Sequence, residues 1–266
     1  MPTDSSAQEI FDPLVEEGEK ELQRSLPDLM VSGLIAGLDI GFGPLAMAVV
    51  AGRLHESFHL PVVQAIFLGG FLYPLGFIVV VLGQSELFTE NTLTPVAGLL
   101  AGEGTLGKLA RRWAAVLTCN VVGTVAFSLF ASHTEIVFTP YKAIYRDMGL
   151  ALVGHSFLQA TLAAIFGGWL VALMAWLVEA TKGHATHFLL IYLITYLLVA
   201  LALYHSIIGS IEVLMGMFAG APITWTLYSG PLCQDSKTGS SKVGVSPFSV
   251  AVVGVPWPFS APQRAR

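Results

Sequence analysis

Apolar positions in this chain come in blocks rather than stripes. Leu29 to Ala51, Pro61 to Leu82, Trp113 to Ala131, Phe157 to Val178 and Phe188 to Ile208 are rich in Leu, Val, Ala and Phe on every helical face. A helix of about 20 predominantly apolar residues crosses the hydrocarbon core of a bilayer, so the pattern predicts five convincing spanning helices. Ahead of them, Ile10, Phe11, Leu14, Val15, Leu22 and Leu26 recur among acidic residues. That spacing predicts an amphipathic surface helix within residues 5–26.

Two of the blocks do not end cleanly. The second runs into a polar stretch from Gly83 to Pro95 and resumes as Val96 to Ala101, and the fifth reaches His205 to Glu212 and resumes as Val213 to Ala219. Both read as helices broken at depth. A faint repeat accompanies them: Gly83, Glu86, Leu87 and Phe88 match Gly209, Glu212, Val213 and Leu214. Each break follows the second span of a three-helix unit, and an odd number of spans per unit gives the units opposite topologies, the pattern of an inverted repeat with interrupted helices at its solute site. Non-helical backbone at membrane depth is tolerated only where protein or a water-filled cavity receives its N–H and C=O groups. Half-helix N-termini also favour a nearby anion. The reading from periodicity alone is therefore transport of a small solute.

Composition agrees with a bilayer as solvent: 54% of the 266 residues are hydrophobic and 12% charged, with a mean hydropathy of +0.71. The net charge of -5 comes largely from the N-terminal segment, which leaves no basic surface for nucleic acid. No basic start, apolar run and small-residue cleavage site precede residue 30, so the first spanning helix directs insertion. Lys20, Arg24, Lys108, Arg111, Arg112 and Lys182 outnumber Arg53, Lys142 and Arg146 on alternate loops, which orients the N-terminus toward the cytoplasm. Cys119 and Cys233 form no CxxC pair and read as inert.

Across roughly residues 25–228 the chain resembles the formate/nitrite transporter family. The resemblance rests on the glycine-spaced first helix from Gly33 to Gly43, on Ser85-Glu86-Leu87-Phe88-Thr89-Glu90-Asn91-Thr92, on Trp113 through Asn120 with Gly123, and on His205-Ser206. It implies an all-α, aquaporin-like protomer built as an inverted repeat of three-helix units with broken second and fifth helices. It also implies a homopentamer with one pore per protomer, and passage of small monovalent anions such as formate or nitrite, or their conjugate acids. No cofactor or metal is implied. Carried over by position, Leu87, Phe88 and Thr89 form a constriction loop, His205 the polar centre of the pore, and Phe77, Tyr73 and Leu198 an apolar slit. Such residues suit a selective pore, because an apolar constriction excludes hydrated cations and one imidazole in a dry site can polarise an anion or protonate it. Thr89 is positioned to hold the His205 ring by a hydrogen bond.

The chain departs from the family in three places. Gly209 and Ser210 stand where an asparagine follows the central histidine; Val153, Gly154 and His155 stand where a lysine precedes the fourth span; and after Trp225 a proline-broken tail replaces the sixth helix. These mark a divergent branch. The organisation expected is a cytoplasmic segment over 1–28, a transporter domain over 29–228, and a disordered, atypical tail over 229–266 that is either frameshifted or truncated in origin or a genuine divergent tail. Loss of the sixth helix is expected to leave the backbone from His205 to Ile211 exposed to lipid or partly unsatisfied. The expected location is a bacterial or archaeal cell membrane. Asp39, Glu86 and Glu212 are further polar candidates, either lining the pore or lying at helix interfaces, with Glu86 and Glu212 read as caps of half-helices. His184 and His187 lack a third ligand at metal spacing, and Gly102 to Lys108 reads as a turn rather than a phosphate loop. Two rival readings are a nonconducting structural subunit and an intramembrane enzyme; no HExxH, GxSxG or paired-aspartate motif supports the latter.

Overall fold

Residues 7–153, 155–225, 228, 233–234 and 241–242 are described by a computed structural model. The chain opens with α1 (Ala7–Gln23), followed by α2 (Leu26–Asp39) and α3 (Phe42–Phe58), which together form the first long apolar stretch. Ser25 caps α2 by accepting from the N–H of Asp28, with Pro27 in the first turn, where a missing N–H costs nothing. The bend at Ile40 and Gly41 has a covalent cause: Pro44 cannot donate to the carbonyl of Ile40. The second stretch is α4 (Val62–Gly69), a 3₁₀ turn, and α5 (Pro74–Leu82); after an interruption come α6 (Leu93–Leu100) and the long α7 (Leu106–Ser132), capped by Thr105. Then follow α8 (Lys142–Val153), α9 (Phe157–Glu179), α10 (His184–Ala200) and α11 (Ser206–Phe218). Ser156 and Gln159 form a reciprocal capping box at the start of α9.

Among the described residues four stretches are long and apolar enough to cross a membrane: Leu26–Phe58, Val62–Leu82, Leu106–Ser132 and Leu158–Glu179. The fifth block expected from the sequence is not one helix. Right-handed helix stops at Ala200, Ala202 takes a left-handed φ of 50°, and helix restarts at Ser206. Nothing in Leu201-Ala202-Leu203 breaks a helix by propensity, so packing imposes the interruption. The resumption points also move: α6 begins at Leu93 rather than Val96, and α11 at Ser206 rather than Val213.

The two interruptions share one geometry. At the end of α5 the N–H groups of Gly83, Gln84 and Ser85 return to the carbonyls of Val79, Val81 and Val80; at the end of α10 those of Leu201, Ala202 and Leu203 return to Leu197, Val199 and Leu198. Gln84 (φ 55°) and Ala202 (φ 50°) occupy the left-handed position of this Schellman-type turn. The half-helices that follow end alike too, with Gly102 (φ 91°) closing α6 and Gly220 (φ 89°) closing α11. The match between Gly83–Phe88 and Gly209–Leu214 is therefore out of register: the first segment is loop and the second lies inside α11.

Packing repeats as well. α1 crosses α6 with Gly18 against Gly98, and α8 crosses α11 with Gly149 against Gly216; a Cβ added at Gly98 would lie 2.8 Å from the Gly18 backbone, and one at Gly216 would lie 3.0 Å from the Gly149 Cα. The apolar face of α1 is thus covered by protein rather than laid on a membrane surface: Leu14 and Val15 pack with Leu93 and Ala97. Nor is the start of α11 open to lipid. Ser206, Ile207, Ile208, Ser210 and Ile211 are each 0% exposed, because α7 and α8 flank that helix. The expectations for the tail and for an absent sixth helix fall outside the described residues, apart from a two-residue antiparallel ladder pairing Cys233–Gln234 with Ser241–Lys242.

The α2–α7 contact gives a direct test. A Cβ on Gly37 would sit 2.3 Å from the Asn120 carbonyl oxygen, whereas one on Gly107 meets nothing closer than 3.9 Å. Gly37→Val is expected to destabilise by about 1–3 kcal/mol or more through overpacking, and Gly107→Ala to be neutral or slightly stabilising. Thermal unfolding of the detergent-solubilised protein, followed by loss of the monodisperse size-exclusion peak, checks both.

Candidate functional site

The interrupted helices bring together residues far apart in sequence. His205 stands at the N-cap of α11 in extended conformation (φ −135°, ψ 126°), so its ring projects back toward the loop that follows α5. There Thr89 Oγ1 and His205 Nε2 are hydrogen-bonded at 2.8 Å. Phe77 of α5 meets the imidazole edge-on, with ring centroids 5.0 Å apart, and Tyr73, one turn earlier on the same face, stands 6.3 Å from Phe77. Leu87 of the loop and Leu198 of α10 are fully buried. Nδ1 of His205 is buried and has no partner among the described residues. The result is one imidazole, tethered at one nitrogen, in an apolar enclosure at the N-terminus of a helix. A neutral acid passes such an enclosure far more cheaply than an unpaired anion, while the imidazole and the first-turn N–H groups of α11 favour developing negative charge.

Phe88, the next residue of the loop, is buried and meets α7. Its side chain packs edge-on against Trp113 of α7, with centroids 6.0 Å apart, and its N–H donates to Asn120 Oδ1 at 2.8 Å. Asn120 Nδ2 donates in turn to the carbonyls of Gly33 (2.7 Å) and Glu86 (2.9 Å). One side chain on α7 thereby fixes α2 and both sides of Leu87. Ser32 of α2 accepts from the N–H of Glu86 at 3.0 Å.

Contrary to the expectation from sequence, Glu86 is not a helix cap, because it lies within the loop. Its carboxylate accepts from Arg112 Nη2 of α7 at 2.6 Å, and from Arg24 and Asn91. Arg112 also pairs with the carboxylate of Glu21 and donates to the Glu21 carbonyl at 2.9 Å. Burial, with the neighbouring Glu86 carboxylate adding to it, raises Glu21 above the ordinary carboxylate pKa, against the opposing pull of Arg112 and Arg24. Glu212 is not a cap either: it sits in the middle of α11. Asp39 ends α2 at the bend, half-buried, and is not brought to the His205 group.

Sequence reasoning passed over Asn120, Arg112 and Arg24 as functional residues. Asn120 is an amide inside an apolar block, and Arg112 a cation at the start of one; either is costly there unless partnered, which was the available signal. At the other end of the site, Tyr204 precedes His205, donates to the Leu152 carbonyl, and is hydrogen-bonded to His155 Nδ1 at 2.7 Å. In the His184–His187 segment, Nε2 of His187 is bonded to the Thr181 carbonyl at 3.0 Å.

Comparison with known proteins places this geometry. The formate/nitrite transporter family matches residues 8–232. The chain is 28% identical over 248 residues to the inner membrane protein YfdC of Escherichia coli strain K12, covering 92% of this chain and 77% of that one. Its fold is similar to that of a solved FNT family ion channel (TM-score 0.73, 20% identity, 93% and 95% of the two chains). It is also similar to a pentameric formate channel with formate bound (TM-score 0.64, 20% identity, 86% and 92%).

The ion network makes a prediction independent of transport. Arg112→Met leaves Glu86 and Glu21 with Arg24 alone between them, one cation for two buried carboxylates, and is expected to cost about 3–5 kcal/mol. Arg112→Met combined with Glu86→Gln removes the uncompensated charge and is expected to recover a substantial part of that loss. Melting temperatures of the single and double variants, measured in one detergent, check the order.

Proposed function

The chain belongs to the formate/nitrite transporter family, a family of transporters and not of enzymes, and from that premise we propose that it conducts small monovalent anions such as formate or nitrite, or their conjugate acids. The observation that carries the reading is the Thr89–His205 hydrogen bond set against Phe77 where the two interrupted helices meet. In this proposal Leu87, Phe77, Tyr73 and Leu198 line a narrow apolar path and His205 is its one polar station, with Thr89 orienting the ring. The solute sheds water on entering, is met by the imidazole and the α11 N-terminus, and leaves through the opposite apolar ring. Phe88 and Asn120 act as anchors of the loop rather than as contacts of the solute.

The architecture proposed is an inverted repeat. Its first unit runs from α1 to α7, and its second from α8 to α11, without a counterpart of α7 among the described residues. Matching turns at Gln84 and Ala202, and matching glycine crossings at Gly18/Gly98 and Gly149/Gly216, support that pairing. Assembly as a homopentamer with one path per protomer, in a bacterial or archaeal cell membrane with α1 in the cytoplasm, completes the proposal. The apolar residues exposed along the spanning helices, Phe67, Phe130 and Trp169 among them, suit contact with lipid or with neighbouring protomers.

His205→Ala is expected to leave assembly intact and to lower formate uptake by about tenfold or more, since a positioned imidazole contributes to catalysis-like proton transfer on that scale. Thr89→Val is expected to impair uptake, whereas Thr105→Val, at the α7 cap, is expected to cost about 1 kcal/mol of stability and leave uptake unchanged. Uptake into proteoliposomes checks all three. Equal effects of the two threonine variants on flux would overturn the placement of the loop at the path, and a chain that transforms its solute or moves none would overturn the transporter reading.

A further inference from the structure

Glu212 differs from Glu86 and Arg112, the other charged side chains of the buried core among the described residues. Glu86 and Arg112 neutralise each other within a hydrogen-bonded network, but Glu212, only 8% exposed, has neither an ion pair nor a hydrogen bond among the described residues. A bare carboxylate in such a place is expensive, and a membrane protein retains one for a function more often than for packing.

Its position relates it to the path. His205, Gly209 and Glu212 fall at i, i+4 and i+7, hence on one face of α11. Across from that face, Phe77 of α5 meets His205, and Tyr73, at i−4 from Phe77, lies one turn further on. Glu212 and Tyr73 accordingly lie within electrostatic reach of each other, on the side of Phe77 and His205 away from the constriction loop. Among the described residues no cation is paired with Glu212 there. From α8 the crossing presents Gly149 and main chain: Tyr145 donates its hydroxyl to the Val137 carbonyl, and Arg146 and Asp147 are exposed. From α7 come the uncharged Asn120, Thr124 and Ser128. On α3, Arg53 is exposed and His55 is bonded to the Leu60 carbonyl.

Resting on the reading of this chain as a conduit for small anions or their acids, we propose that Glu212, faced by Tyr73, is a proton-binding site within the permeation path. Unprotonated, the carboxylate repels an approaching anion in a low-dielectric enclosure, where Coulomb forces are strongest. After taking a proton from path water, it presents a neutral carboxyl beside the Tyr73 hydroxyl, a pair of hydrogen-bond donors along which the solute can move to His205. Passage is thus gated by the charge of Glu212, and acid opens it.

Two measurements on the reconstituted full chain test this. In acid-minus-alkaline infrared difference spectra, the wild type is expected to show the C=O band of a protonated carboxyl that Glu212→Gln lacks and Glu212→Asp shifts. In proteoliposomes, with radiolabelled formate as the probe, Glu212→Gln is expected to raise uptake at alkaline pH several-fold toward the wild-type level in acid, flattening the pH profile. Glu212→Asp is expected to keep the profile, and Tyr73→Phe to move it. A difference spectrum unchanged by Glu212→Gln, or the same pH profile in Glu212→Gln and wild type, would overturn the proposal. A wild-type chain that keeps the carboxyl band but moves no formate at any pH would establish proton binding at Glu212 and overturn the transporter reading instead.

Discussion

A chain that leaves the helical ladder inside an apolar protein must find a partner for each freed N–H and C=O, at a cost of several kcal/mol for any group left bare. This chain does so twice, and the architecture around His205 follows from how the groups are satisfied. At the C-terminal end of the helix before each interruption the solution is local: three N–H groups fold back on three carbonyls through a left-handed residue, Gln84 or Ala202. A non-glycine residue in that region costs of order 1–3 kcal/mol, so the turn persists because the surroundings hold it. On the N-terminal side of α6 the solution is tertiary: Asn120 and Ser32 receive the N–H groups of Phe88 and Glu86. The loop carrying Thr89 is therefore positioned by α2 and α7, not by its own sequence.

Charge reinforces that register. Glu86 is held by cations from two other elements, Arg24 just after α1 and Arg112 in α7, and Arg112 also holds Glu21. Desolvating four charges consumes most of what their attraction returns, so the network adds little net stability. Its geometry has one solution, however. A one-residue slip of the loop would take Glu86 from its two arginines and Phe88 from Asn120 together, and Thr89 would lose His205. The ion network and the amide clamp thus define one loop conformation, and the terminal helix α1 is tied to the centre of the molecule through it.

Much of this was legible in the sequence, and the exceptions have physical causes. Apolar blocks gave the long helices, since a bilayer-facing helix must be apolar on every side, but not all of their starts: the caps at Ser25 and Thr105 lie ahead of the apolar runs that begin at Leu29 and Trp113. The first interruption was legible because Gly83 and Pro95 bound a polar run. The second was misplaced because its breakers are Leu201, Ala202 and Leu203, all good helix formers, and only packing against α9, where Gly167 abuts the Tyr204 carbonyl, stops the helix there. The repeat was sensed but misaligned for the same reason: it is carried by backbone turns and glycine crossings, and the glutamates that suggested it occupy unlike environments. Partners are the hardest thing to read from a sequence: Glu86 and Glu212 stand in similar local contexts, yet among the described residues one is held by two arginines and the other by none.

That contrast bears on how an anion could be drawn to the site at all. The two buried or half-buried arginines near the loop are matched by two glutamates, so the network is electrically neutral and offers no net attraction. Around His205 the described structure supplies no fixed cation, and about two turns beyond it along α11 stands an acidic group, Glu212. What favours negative charge is a pair of weak sources, the N-terminal dipole of α11 and the imidazole, each effective only at short range. A site so arranged holds a solute loosely and discriminates by the cost of desolvation more than by attraction. Conduction requires that combination, since a conduit that bound its anion firmly would not release it. In the proposed conduit, the absence of a strong anion-binding charge among the described residues is the condition under which a single imidazole could decide what passes.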